Sequence, residues 1–318
     1  MLDILAITTP IFLLIAIGYI AVYRNIVPQP VVRGMGAFVI NFALPCLLIR
    51  ALIVRDITEV LNIDYLAVYG AGSLIVFALG YFFARVIAKK SQQNAALQGM
   101  GMSASNSGFV GYPIVVQLLG PTAAVALALC FIIENLVITP LTLILGDSAQ
   151  TEGANRWHIW RKTFVRLGRN PIIVALLIGL SISVSGITLP GPIFSVVDML
   201  ASASGPVALF VIGGGLVGLK LRGVRFDMAR IVFGKLILHP LIIFLLLGLV
   251  PDLDPLMKIA AVTFACAPMF SVYAIYGQRY GHEGMSAAAL MAATLLSFIT
   301  ISISLWLLDS SAVFGQLP

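Results

Sequence analysis

Residues 104–120 read ASNSGFVGYPIVVQLLG, and residues 265–281 read ACAPMFSVYAIYGQRYG. The second stretch lies over the first without a gap, 161 residues further on. Six of the seventeen positions agree: Ala104/Ala265, Phe109/Phe270, Tyr112/Tyr273, Ile114/Ile275, Gln117/Gln278 and Gly120/Gly281. Chance in so apolar a chain gives roughly one or two such matches. Both stretches interrupt long apolar runs with proline, glycine and small polar residues. Inside a bilayer every backbone polar group must be bonded internally, so such an interruption is tolerated only where protein or a water-filled cavity surrounds it. Two interruptions at corresponding places in the two halves of a chain are the sequence pattern of a transporter.

The rest of the chain fits that reading. Of 318 residues, 60% are hydrophobic and 10% charged, whereas soluble domains carry about 25% charged residues. Mean hydropathy is +1.06, and the apolar runs are continuous, which selects an all-α polytopic membrane protein over a barrel. The net charge of +6 raises the question of nucleic acid. The basic residues lie in short loops between apolar runs, so bilayer orientation accounts for them and no nucleic-acid partner is expected. Cys46, Cys130 and Cys266 fall inside apolar runs without disulfide or metal spacing and read as core residues. The N-terminus lacks a basic n-region and a small-residue cleavage site, so the first apolar run is expected to remain as a span.

Ten spans are predicted at about 20 residues each: Leu2–Tyr23, Val31–Val54, Tyr65–Ala88, Asn94–Leu119, Pro121–Leu145, Asn170–Ile187, Pro192–Leu219, Phe226–Val250, Pro255–Gln278 and Glu283–Leu308. The loops between them alternate in charge. Arg24, Arg33, Arg85, Lys89, Lys90, Arg156, Arg161, Lys162, Arg166, Arg169, Lys220, Arg222, Arg225, Arg230 and Arg279 put fifteen of the nineteen basic residues on one side. Arg50, Arg55 and Lys258 lie on the other, with Asp56, Glu59, Asp64, Asp252 and Asp254. By the positive-inside rule both termini then face out, here of a multi-pass protein in the cell membrane, most simply a bacterial cytoplasmic membrane.

The 161-residue offset recurs at Pro10/Pro171, Gly18/Gly179 and Pro45/Pro206. Residues 1–146 therefore repeat as residues 170–318, with residues 147–169 as a cytoplasmic linker. Five spans per repeat is odd, so the second copy is inverted, and a substrate site is expected near the midplane where the repeats meet. The linker's basic run with Trp157 and Trp160 suits either a lipid-surface helix or a solvated connector.

Several patterns carry or exclude chemistry. Gly213-Gly214-Gly215-Leu216-Val217-Gly218 matches GxGxxG but follows no strand, so helix packing through Gly214 and Gly218 is the better reading than dinucleotide binding. No HExxH, CxxC, P-loop or GxSxG pattern occurs, and no enzyme, cofactor or metal site is expected. Pro45, Pro113, Pro140, Pro206, Pro240 and Pro268 lie within spans. Most read as kinks, but Pro113 and Pro268 are expected to mark unwound segments. Half-helix N-termini there would favour an anion by up to about 2 kcal/mol, with no arginine at midplane depth. Glu134 is the one formal charge between Ser91 and Leu145, and His239 lies near the middle of span eight. Neither has an ionisable counterpart at the repeat offset, Leu295 and Ala78 standing there. Both are candidate coupling groups, although a structural hydrogen bond would explain Glu134 and a neutral core imidazole His239. Asp198 and Lys235 sit nearer span ends, where capping or snorkelling suffices. Asn41, ahead of Pro45, either lines the path or bonds across helices.

At these residues the chain resembles the auxin efflux carrier family, which includes plant PIN transporters and bacterial malate or malonate permeases. The motifs are Asn41-Phe42-Ala43-Leu44-Pro45, Asn106-Ser107-Gly108-Phe109-Val110-Gly111-Tyr112-Pro113, Arg169-Asn170-Pro171 and Ala267-Pro268. The resemblance implies a scaffold of spans one, two, six and seven, often dimeric, so a homodimer is expected. It implies a mobile domain of spans three to five and eight to ten, an anionic substrate and an elevator-like movement. Asn106, Pro113 and Pro268 carry over as crossing residues. The plant proteins' long central loop has no counterpart here.

The expected function is a carrier for small organic anions, carboxylates, exporting them by alternating access. Ser105, Asn106, Ser107, Gly111, Pro113, Ala267, Pro268, Met269 and Asn41 are the candidate substrate residues, and Glu134 and His239 the candidate proton or coupling residues. A sodium- or proton-coupled symporter of the bile-acid type is the alternative, so H+ or Na+ is a candidate partner. A membrane ligand sensor is a more distant one.

Overall fold

A computed structural model describes residues 2–53, 62–148, 161, 165, 168–218, 225–311 and 314. The expected linker is therefore largely outside the described residues, as are Trp157, Trp160 and several of the basic loop residues. Among the described residues the chain is all helix, with no strand. The helices are α1 (Leu2–Tyr23), α2 (Gln29–Ile53), α3 (Ile63–Ile87), α4 (Gln92–Ser103), α5 (Tyr112–Leu119) and α6 (Thr122–Ser148). They continue with α7 (Pro171–Ser185), α8 (Gly191–Gly215), α9 (Phe226–Leu247), α10 (Pro255–Cys266), α11 (Tyr273–Arg279) and α12 (Glu283–Ser311). Six of these, α2, α3, α6, α8, α9 and α12, are each long and apolar enough to cross a membrane. Outward apolar side chains of these and the shorter helices, such as Leu13, Phe82, Leu177, Met199 and Leu245, are exposed, as expected for surfaces facing lipid.

Prolines shape the spans in two ways. Proline lacks an N–H and its ring collides with the carbonyl four residues back. Four π-helical turns absorb that collision: Val39–Ala43, Ser107–Gly111, Glu134–Ile138 and Gly234–Leu238 end two residues before Pro45, Pro113, Pro140 and Pro240. One extra residue in the turn lets the helix run on past the ring. Asn41, Ser107, Glu134, Asn135 and Lys235 all lie in these turns, where the widened backbone re-aims side chains. Pro113 therefore does not break its helix as expected, since it sits in the first turn of α5. The break comes earlier, where Ala104 is extended and Asn106 has φ −84° and ψ 58°. In the second half the expectation holds. Ala267 is extended (ψ 148°) because the residue before a proline is pushed out of the helical region, and α10 ends there.

Close packing of small residues holds α1 against α8. A Cβ on Gly213 would overlap the backbone of Ile15 and Tyr19, and one on Gly18 would overlap the backbone of Phe210. Gly214 faces Val22 and Val32. Gly218, however, lies in the turn beyond α8 at φ +83° with open space around it. The packing motif is thus Gly213 and Gly214 with Gly18, and the Gly214/Gly218 pair expected from spacing does not form.

Candidate functional site

The two breaks meet. The Asn106 backbone N–H donates to the Pro268 carbonyl at 2.7 Å, and the Asn106 side-chain amide donates to Ser271 Oγ at 3.1 Å. Three consecutive residues then face three different partners. Ser105 Oγ accepts from Lys235 Nζ at 2.7 Å and from the Tyr69 hydroxyl at 3.2 Å. Asn106 binds the opposite chain. Ser107 Oγ donates to Glu134 Oε1 at 2.5 Å. The non-helical backbone at residues 104–106 makes this possible, because side chains there no longer follow the helical spacing that would put them on adjoining faces. The small residues allow the approach: a Cβ on Gly111 would stand 2.6 Å from the Phe264 ring, and Ala267 is its other neighbour.

Lys235 corrects the expectation that it snorkels. It is fully buried, and beyond Ser105 it reaches His239 Nδ1 at 2.7 Å and the Ala265 carbonyl at 2.9 Å. His239 Nε2 lies 3.0 Å from Ser73 Oγ. With Lys235 as an ammonium, which has no acceptor, Nδ1 accepts from it and the imidazole proton falls on Nε2, directed at Ser73. Asp198, its side chain half-exposed, pairs with Arg50 at 2.5 Å, and Arg50 also reaches Ser202 at 3.3 Å.

A cavity of about 380 Å³ opens on one side of the crossing. Ser105, Asn106, Ser107 and Glu134 line it, joined by Asn135, Arg169, Asn170, Ser271 and Tyr276. Its apolar wall is Phe109, Phe131 and Phe270. A second cavity, about 320 Å³, is lined by Arg50, Tyr112, Pro113 and Gln117. Pro113 thus faces a different space from Asn106. Pro268 serves through its carbonyl, and Ala267 and Met269 are buried in the crossing without lining either cavity. His239 is not a lining residue but the neighbour of Lys235. Asn41 is exposed and returns its amide to the Ala37 carbonyl at 2.7 Å, so it is not brought to the site.

Sequence reading missed Lys235, Ser271, Arg169 as a lining residue, Asn135 and Tyr276. For Lys235 there was a signal: it precedes His239 by four residues, one helical turn, in an otherwise apolar run. Ser271 carried none, because its role depends on which chain crosses opposite it. Among the described residues no group of three His, Cys, Asp or Glu side chains gathers as a metal site.

Apolar helices of membrane-spanning length, two interrupted runs joined at their breaks and a polar cavity beside the join define a polytopic membrane transporter. The chain belongs to the membrane transport protein family, that of the auxin efflux carriers, which it matches over residues 4–307. It is 28% identical over 322 residues to a protein of Rhizobium meliloti named "Putative malonate transporter", covering 100% of this chain and 99% of that one. It is 24% identical over 315 residues to the "Uncharacterized transporter YfdV" of Escherichia coli, covering 96% of each. The "Lysosomal cholesterol signaling protein" of Mus musculus is 25% identical over 320 residues, which are 93% of this chain and 36% of that one.

Proposed function

We propose that the protein carries small organic anions, carboxylates, out of the cytoplasm by an elevator-like exchange between two accessible states. The observation that carries this reading is the crossing itself. Asn106 and Ser271 present neutral hydrogen-bonding groups to the cavity, Arg169 adds a cation, and the helical run Ser107–Leu119 points its N-terminus at the same space. Such a terminus favours an anion. The name of the Rhizobium meliloti relative supports a carboxylate. An inside-negative potential is worth about 2.3 kcal/mol per charge per 100 mV, so it drives a monoanion outward without a coupled ion, and a dianion twice as strongly. The charge alternation of the loops supports both termini facing out.

The bonding pattern supports a split into a scaffold of α1, α2, α7 and α8 and a mobile unit of the other helices, built as two inverted repeats. Within the mobile unit the two repeats are braced to each other: Asp147 with Arg279 at 2.6 Å, Asp227 with Lys90 at 2.9 Å, Arg230 with Gln98 at 3.0 Å and Lys235 with Ser105. Two bonds cross the proposed boundary at 3.3 Å each, Thr8 to Ser302 and Asn170 to Asn135. The test is counterflow in proteoliposomes loaded with malonate, malate, succinate, acetate or an amino acid. Exchange confined to the carboxylates is the expected result. Exchange of none of them, with the protein folded, would set the reading aside.

Proton coupling is a second reading that Glu134 favours, because its carboxyl lines the cavity while bonded to Ser107. It would add a proton to the exchange cycle without changing the site.

A further inference from the structure

We propose that Lys235 is a tethered cation that completes the crossing in place of an inorganic ion, so that this carrier has no sodium site to fill. Lys235 is fully buried, yet among the described residues it forms no ion pair with a carboxylate. A buried charge of this kind is costly unless its hydrogen bonds are complete and a field of opposite sign surrounds it. Both conditions are met. The three ammonium protons have three acceptors, Ser105 Oγ, His239 Nδ1 and the Ala265 carbonyl.

The field comes from helix ends. α4 ends at Ser103 and α10 at Cys266, so two helix C-termini converge on the crossing. Each carries roughly −0.5 of an elementary charge, and one ammonium balances the two. In carriers with broken helices, free carbonyls and half-helix C-termini are where coupling cations bind. Here the Ala265 carbonyl, in the last turn of α10, is already held by Nζ. The unwound carbonyl of Pro268 is taken by Asn106 N–H. On the cavity side the N-terminus of the Ser107–Leu119 run, where Ser107 Oγ also donates to Glu134, meets no such cation and favours an anion. The inference rests on the anion-carrier reading only for this last consequence; the cation site stands on geometry alone.

The experiment measures thermal unfolding of the purified protein, without substrate, in sodium, ammonium, methylammonium or choline chloride at equal ionic strength. Wild type is expected to unfold at the same temperature in all four. Lys235→Ala is expected to unfold lower in choline, and to recover at least half of that loss in ammonium or methylammonium, which refill the vacated acceptors. A sodium-specific rise in wild type would overturn the proposal. So would a Lys235→Ala protein as stable as wild type in choline, or one that no small cation restores. If Lys235→Ala does not fold, the wild-type sodium comparison decides alone. Because no substrate is present, failure of the carboxylate reading in counterflow leaves this result intact, and the two failures are distinguishable.

Discussion

Ser105 and Ser107, two residues apart, hold different ionisable groups: Ser105 Oγ accepts from Lys235 Nζ and Ser107 Oγ donates to the Glu134 carboxyl. Asn106 between them is the residue left to face the opposite chain and the cavity. The polar triplet therefore separates Lys235 from Glu134 across one short non-helical segment. That division of labour leads to distinct outcomes for the three positions.

Asn106→Ala removes the amide that reaches Ser271 but keeps the backbone bond to Pro268. Losing one hydrogen bond of this kind costs about 1 kcal/mol, and more where a substrate group is left unpaired. Counterflow is expected to fall at least tenfold while the unfolding temperature moves little. Wild-type counterflow in this variant would remove Asn106 from the substrate site.

Glu134→Gln keeps the shape and an acceptor for Ser107 but cannot exchange a proton. A carboxylate at this depth costs several kcal/mol when ionised and unpaired, so its protonation is expected to follow occupation of the cavity. Transport measured from pH 5 to 8 should lose its pH dependence in the variant, with substrate affinity within a few-fold of wild type. A profile unchanged from wild type would assign Glu134 a structural bond only.

Elevator movement predicts which pairs tolerate a crosslink. Thr8 and Ser302 are bonded across the proposed boundary at 3.3 Å, whereas Asn94 reaches Met285 within the mobile unit at 3.6 Å. With Cys46, Cys130 and Cys266 replaced, an oxidised Thr8→Cys/Ser302→Cys pair should stop counterflow and a reductant should restore it. An oxidised Asn94→Cys/Met285→Cys pair should leave it running. Inhibition of both pairs alike would argue for a different dissection of the helices.

Gly213→Ala places a methyl against the backbone of α1, which cannot yield as a side chain can. Overpacking of this kind costs about 1–3 kcal/mol. A lower unfolding temperature is expected, whereas Gly218→Ala, in open space, is disfavoured only through its positive φ. Equal loss at the two positions would contradict the packing account.

His282, in the turn between α11 and α12, has its imidazole held below the usual range by burial, with Glu283 and Asp227 opposing that shift and Lys90 adding to it. The folded state then binds its proton less readily than the unfolded chain, so stability is full above the unfolded value and declines as pH falls through the window below it. His282→Gln should flatten the unfolding temperature between pH 7 and 5. A slope identical to wild type would place the acid sensitivity elsewhere.

The sequence by itself determined the all-helical membrane class, the two interrupted runs and the family, because apolar length, proline position and charge in the loops are local properties that the bilayer converts directly into spans. It also singled out Ser105, Asn106, Ser107 and Glu134, which line the cavity, since polar residues are rare enough in apolar runs to stand out. It misplaced the first break, reading Pro113 as the breaker when a π turn absorbs that ring and the small polar residues before it unwind instead. Only the tertiary structure decided the partners. Lys235 looked like a residue that could reach the interface, and its burial follows from α9 packing against α3 and the ends of two other runs, which no spacing encodes. Ser271, Arg169 and Asn135 join the site for the same reason. The crossing of residues 104–106 with residues 267–272 sets neighbours that are more than 160 residues apart, and hydrogen-bond geometry at that meeting point chooses which side chain faces the cation, the opposite chain or the cavity.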